Sequence, residues 1–183
     1  GELLYYFMYG PSMKQITKNF TDMIGKSYFA PAWGYGNIQC HYGYTQEDIE
    51  RVAQTYRDKE IPLDMMMADI EWYQYKCSPT QWNTTNFPDP EGMIAKLHDL
   101  NVRMGAIDDP NVTNAQPEDY PYGVENGYFM HSRTGDQKDI IWPWGAASGL
   151  TDFFNPEAQE WWGELHNMIL DQGVEGFWLD MNE

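Results

Sequence analysis

Positive charge is scarce in this chain. Its 183 residues hold 11 lysines and arginines against 28 aspartates and glutamates, a formal net charge of -17. So acidic a surface repels phosphate backbones and anionic lipid headgroups, and neither nucleic acid nor a membrane is expected as a partner. Cysteine is nearly absent: Cys40 and Cys77 lie far apart and suit two free thiols better than a disulfide framework. The four histidines, His41, His98, His131 and His166, include no pair at a zinc-ligand spacing. The loop pattern of an EF-hand is missing too. No metal or other cofactor is therefore expected. No apolar run approaches the roughly 20 residues that span a bilayer, no leader-like segment opens the chain, and no glycine loop has phosphate-binding spacing.

Aromatic residues are plentiful at 16%, which excludes a disordered chain. That density suits a packed core, and it also suits a sugar-binding cleft, because a sugar ring has an apolar face. Three segments repeat one grammar of apolar strand, polar strand end and capped helix. The first strand is expected over 32–39, followed by a helix over 46–59 that Thr45 caps, with Asp48 three residues on. The second strand is expected over 63–70, its helix beginning at Asp89-Pro90-Glu91. The third covers 102–107, with a helix beginning at Asn155-Pro156-Glu157 and closed by Gly173. A fourth strand covers 174–179. His98 and His166 fall on these helices and are expected at the surface or partly buried. Before the first unit, 3–9 reads as a separate strand and 12–23 as a helix.

Strands alternating with capped helices imply parallel β-α-β units. One connection is anomalous: 110–154 separates the third strand from its helix, where a βα loop ordinarily has about 2–6 residues. It contains the strand-like stretch Asn126-Gly-Tyr-Phe-Met-His-Ser132. Long insertions at the C-terminal ends of strands are where parallel barrels build active sites.

Acids gather at those ends. The second strand finishes in Asp69-Ile70-Glu71, the third in Asp108-Asp109-Pro110 and the fourth in Asp180-Met181-Asn182-Glu183. Strand alternation puts Asp69 on the face of Met65 and Met67, Asp109 on the face of Ile107, and Asp180 on the face of Trp178. Regular strands would aim all of them at one cleft. A lone aspartate at a strand end is usually a turn or cap residue. No helix sequence follows Asp180, and the helix after Asp69 starts twenty positions later, so capping explains neither.

These blocks resemble glycoside hydrolase family 31. "GFWLDMNE" is similar to the family's nucleophile motif. "GELLYYFMYGPS", "FAPAWGYGNIQCHYGY", "IPLDMMMADIEW", "GAIDDP" and "DFFNPEAQEWW" fall in the family's order. The resemblance implies a (β/α)8 TIM barrel, an α/β fold, present here as about its first four β/α units. Residues 1–28 would lead in from a preceding domain, and 29–183 would form the N-terminal half of the catalytic barrel. It further implies retaining hydrolysis of terminal α-linked sugars, with Asp180 as nucleophile. Asp69 would hold sugar hydroxyls, and Trp142, Trp178, Met181, Ile107 and Tyr42 would line the same subsite, with Asp109 beside them. The partners implied are an oligosaccharide or α-glycoside substrate and the rest of the same polypeptide.

The sequence departs from the family's pattern at three points. Glu71-Trp72 replaces the more usual Asp-Tyr, "IIWPWGAASGL" carries an extra Trp144, and no acid/base carboxylate follows Asp180 within the chain. The expectation is a fragment inactive by itself. Alternatives stay open on these residues: an α-transglucosylase, an α-xylosidase or α-galactosidase of the same family, or a non-catalytic sugar-binding barrel.

Overall fold

Short apolar strands separated by capped helices give the computed structural model its order. It describes residues 3–75, 78–137, 139–141 and 147–182. In sequence the elements are α1 (Met13–Ile24), β1 (Ile38–Cys40), α2 (Gln46–Asp58), β2 (Met65–Ala68), β3 (Tyr73–Tyr75) and β4 (Ser78–Trp82). They continue with α3 (Pro90–Asp99), β5 (Arg103–Asp108), β6 (Asn111–Thr113), α4 (Asp119–Glu125), β7 (Ile140–Ile141) and β8 (Ala147–Leu150). The last are α5 (Pro156–Leu165), α6 (Asn167–Asp171) and β9 (Gly176–Leu179). Two compact units result, Gly1–Ala32 and Trp33–Glu183.

In the first unit α1 starts where Ser12 Oγ accepts the Gln15 N–H at 3.3 Å, and none of its residues is buried. The strand expected over 3–9 does not form. Its backbone has no neighbouring strand among the described residues, and Leu3, Leu4, Tyr5, Tyr6, Phe7 and Tyr9 are exposed.

The second unit is built on a parallel sheet in the order β1-β2-β5-β9, each neighbour reached by a crossover. β2 is buried along its whole length, between β1 and β5 in the sheet. The expected first strand is displaced: 32–35 form a 3-10 turn and β1 begins at Ile38. Gly36 permits this, because a Cβ there would lie 2.1 Å from Asp64 Oδ2, which accepts the Asn37 N–H at 2.9 Å. Thr45 and Asp48 form a capping box at α2. Asp89 and Asn155 accept main-chain N–H groups at the starts of α3 and α5, each with proline in the first turn.

Helices α2, α3 and α6 cover one face of the sheet. Ile49, Ala53, Met66, Ala68, Met93, Ile94, Leu97, Met104, Ala106 and Ile169 form the core between them. Two insertions decorate the strand ends. The antiparallel pair β3–β4 follows β2 and, with Trp72 just before it, brings Tyr73 and Trp82 into that core. The long connection folds into an antiparallel sheet, β6-β8-β7, and the short helix α4, packed on Phe129 and Trp161. The stretch 126–132 contributes only isolated bridges, Phe129 to Thr151 and His131 to Gln137, rather than the strand its composition suggests. Among the described residues no helix is long and apolar enough to cross a membrane.

Candidate active site

Parallel register fixes which side chains share a level. Cys40 pairs with Met67, Met67 with Gly105 and Gly105 with Gly176. One level up, Ile107 pairs with Trp178, and Asp69 follows Met67 by the same two-residue step. The face is identified by close approach. A Cβ on Gly105 would lie 2.7 Å from Met67 Cε and 2.9 Å from Met65 Sδ, and one on Gly176 would lie 3.0 Å from Met65 Cε. The two methionines therefore lie over the glycines, on the side opposite the helices.

The ladder runs past the end of β9. The Asp180 N–H donates to the Asp108 carbonyl at 3.1 Å, which keeps Asp180 in step with Trp178 on that open face. Asp69 and Asp180 are then separated by one intervening strand and one level. Two strand spacings of about 4.8 Å and two rises of about 3.3 Å put their Cα atoms roughly 12 Å apart. Both aspartates are half-buried, and Trp178 is 41% exposed beside them. Met181, directly after Asp180, has φ 57, a left-handed conformation rare for a bulky side chain. Such strain, of order 1–3 kcal/mol, concentrates at functional sites.

Asp69 is held from two sides. Its Oδ1 accepts the Ile70 N–H at 2.8 Å and caps a 3-10 turn over Ile70–Trp72, while Cys40 Sγ approaches Oδ2 at 3.7 Å. Capping thus does account for part of Asp69's role, contrary to expectation, and strand alternation stops there. Glu71 lies on the turn rather than on the strand. Its Oε2 is buried with no hydrogen-bond partner among the described residues. The turn is pinned to β5 by Trp72 Nε1, which donates to the Ile107 carbonyl at 2.9 Å.

The remaining expected residues divide. Ile107 is buried in the core. Asp109 is fully buried and so does not face open solvent. Tyr42 is 63% exposed in the turn after β1. Met181 lines a separate open hollow of about 170 Å³ with Pro110, Met130, Phe153, Phe154 and Asn182. Trp142 lies outside the described residues, as do Trp144 and Glu183. A larger hollow, about 500 Å³, lies between α2 and α3, lined by Glu47, Glu50, Arg51 and Lys96, away from the strand ends.

Sequence reasoning did not foresee two contacts at the strand ends, Cys40 with Asp69 and Asp108 with His166. His166 is buried rather than at the surface, and its ring meets Asp108 Oδ1 at 3.2 Å. Burial, then the charge and hydrogen bond of Asp69 and the charge of Glu71, push the Cys40 thiol up to about 11, so it is neutral at ordinary pH. Among the described residues no cluster of His, Cys, Asp or Glu is arranged to hold a metal ion.

Comparison with known proteins adds to this geometry. The model of the glycosyl hydrolases family 31 TIM-barrel domain matches residues 27–183. Alpha-glucosidase 2 of Bacillus thermoamyloliquefaciens is 34% identical over 187 residues, covering 100% of this chain and 23% of its own length. The alpha-xylosidase XylQ of Lactiplantibacillus pentosus is 29% identical, covering 99% of this chain and 24% of its own. Among solved structures, a family 31 dextranase from Flavobacterium johnsoniae complexed with glucose superposes with a TM-score of 0.86 at 33% identity. That match covers 95% of this chain and 22% of the dextranase. The chain thus spans about a quarter of the relatives it matches.

Proposed function

The chain belongs to glycoside hydrolase family 31, and on that premise we propose that it carries the nucleophile half of a retaining glycosidase acting on terminal α-linked sugars. The observation that carries this reading is Asp180: half-buried on the open face of the sheet, in step with Trp178 and one strand removed from Asp69. α-Glucosides are the favoured substrates, because the relative named an alpha-glucosidase and the dextranase holding glucose are the more similar.

In the first half-reaction the ionised Asp180 carboxylate attacks the anomeric carbon as the bond to the leaving oxygen breaks, forming a covalent glycosyl-enzyme. In the second, water attacks the same carbon and Asp180 leaves. Retaining chemistry requires a second carboxyl group about 5–5.5 Å away, first as acid and then as base. We assign that group to a part of the protein beyond these 183 residues. Asp69 accepts hydrogen bonds from sugar hydroxyls, and the Trp178 indole offers an apolar surface to the ring.

The test is mechanism-based trapping in the full-length protein. A fluorinated α-glucoside that stalls the second half-reaction should add one sugar to the peptide containing Asp180, read by mass spectrometry. A label on another carboxylate, or a protein that binds the sugar and is never labelled, would remove Asp180 from the role.

A further inference from the structure

His166 interrupts a helix. α5 ends at Leu165 and α6 begins at Asn167, and the His166 N–H turns to the Gly163 carbonyl at 3.2 Å instead of the Trp162 carbonyl four residues back. The freed Trp162 carbonyl is taken up by the residue's own ring, with Nδ1 at 2.7 Å. The other ring nitrogen, Nε2, lies 3.2 Å from Asp108 Oδ1. With Asp108 ionised, the carbonyl and the carboxylate both accept, and the ring satisfies both as an imidazolium, with a proton on each nitrogen. The surroundings are largely apolar: His166 and Asp108 are buried, and the Trp162 and Phe177 rings lie 5.1 and 5.3 Å from the imidazole.

Asp108 faces two ways. Its side chain reaches the helix layer, while its main-chain carbonyl accepts the Asp180 N–H on the neighbouring strand. We propose that the buried Asp108–His166 pair is a positioning device for Asp180, anchoring the end of β5 to the α5–α6 break so that the Asp108 carbonyl holds Asp180 at its height above the sheet. The catalytic meaning of this inference rests on the reading of Asp180 as nucleophile. His166 and Asp108 touch no substrate and act through the main chain.

The groups around the ring agree. β5 contributes the Asp108 carboxylate, α5 the Trp162 carbonyl and indole, and β9 the uncharged Phe177 ring. Burial pushes His166 down, but the hydrogen bond and charge of Asp108 and the Trp162 carbonyl outweigh it, and the net direction is up. A histidine held charged in the fold contributes fully below its unfolded-chain pKa. That contribution is lost as pH rises through the higher folded value. Asp180 should therefore loosen on the alkaline side.

The experiment uses the full-length protein with His166→Ala, His166→Gln and Asp108→Asn, and two readouts. The first is peptide-resolved amide exchange of 176–182, corrected for intrinsic exchange and compared with 103–107. The second is kcat and KM on an aryl α-glucoside across pH. In His166→Ala, exchange of 176–182 should rise, and kcat should fall about 10–100-fold, the cost of a misplaced reacting group, with KM little changed. His166→Gln, whose amide donates to Asp108 and does not titrate, should recover most of kcat and flatten the alkaline loss. Asp108→Asn keeps an acceptor without the charge, and the loss should begin at lower pH. Should His166→Ala not fold, the other two variants decide. Wild-type exchange of 176–182 and wild-type kcat at every pH, with only a lower melting temperature, would overturn the proposal. Exchange that responds as expected, with the trapping label on another carboxylate, would uphold the placement of Asp180 while removing its role as nucleophile.

Discussion

Cys40 and Asp69 face each other across β1 and β2, thiol sulfur to carboxylate oxygen at 3.7 Å. The contact joins a residue of no evident purpose in the sequence to the acid assigned to sugar binding. It sets a thiol donor on Oδ2 while Oδ1 is occupied by the Ile70 N–H.

The first prediction concerns that thiol. Because it is pushed up to about 11 by burial, by Asp69 and by Glu71, Cys40 should alkylate slowly at neutral pH, and faster only as pH approaches that value. Replacing Asp69 with asparagine removes one raising charge and should move the onset to lower pH. Iodoacetamide labelling followed by peptide mapping distinguishes Cys40 from Cys77.

Asp69→Asn should also damage catalysis in the full-length protein. Hydrogen bonds to a charged group contribute about 1.5–3 kcal/mol each, so kcat/KM should fall roughly 10–150-fold. The Cys40→Ser variant, which preserves a donor opposite Oδ2, should lose far less. Steady-state kinetics on an α-glucoside reads both.

Two glycines should respond unequally to alanine. At Gly149 the new Cβ would lie 2.5 Å from ring atoms of Phe129, a fixed aromatic wall. Overpacking of this kind costs about 1–3 kcal/mol. At Gly105 the obstacles are the ends of Met65 and Met67, which rotate away, and the cost should sit at or below about 1 kcal/mol. Denaturant midpoints for Gly149→Ala and Gly105→Ala, measured side by side, check the order.

Much of this architecture is legible in the residues. Thr45, Asp89 and Asn155 announce their helices because capping is local chemistry, carried by one side chain and the N–H groups just beyond it. The β5 and β9 strands are legible because apolar runs between turn signals have few other readings. The side of the sheet that carries Asp180 follows from alternation alone. The β3–β4 pair went unread although Tyr73-Gln74-Tyr75 alternates. Its stability comes from Trp72 and Trp82 packing at a ring distance of 5.0 Å, a tertiary contact. His166 reads as an ordinary helix residue because nothing in helical periodicity marks a break, and its partner Asp108 lies 58 positions away. Asp69 misleads in the other direction: the helix after it starts twenty positions later, so it does not read as a cap, whereas its own carboxylate turns the chain at Ile70.

The methionines laid over Gly105 and Gly176 have a consequence for what rests above them. A base made of thioether arms is compliant: each arm can change its torsions without moving the main chain beneath. Packing on this face of the sheet can then be adjusted by torsion alone, while the strands beneath keep their register.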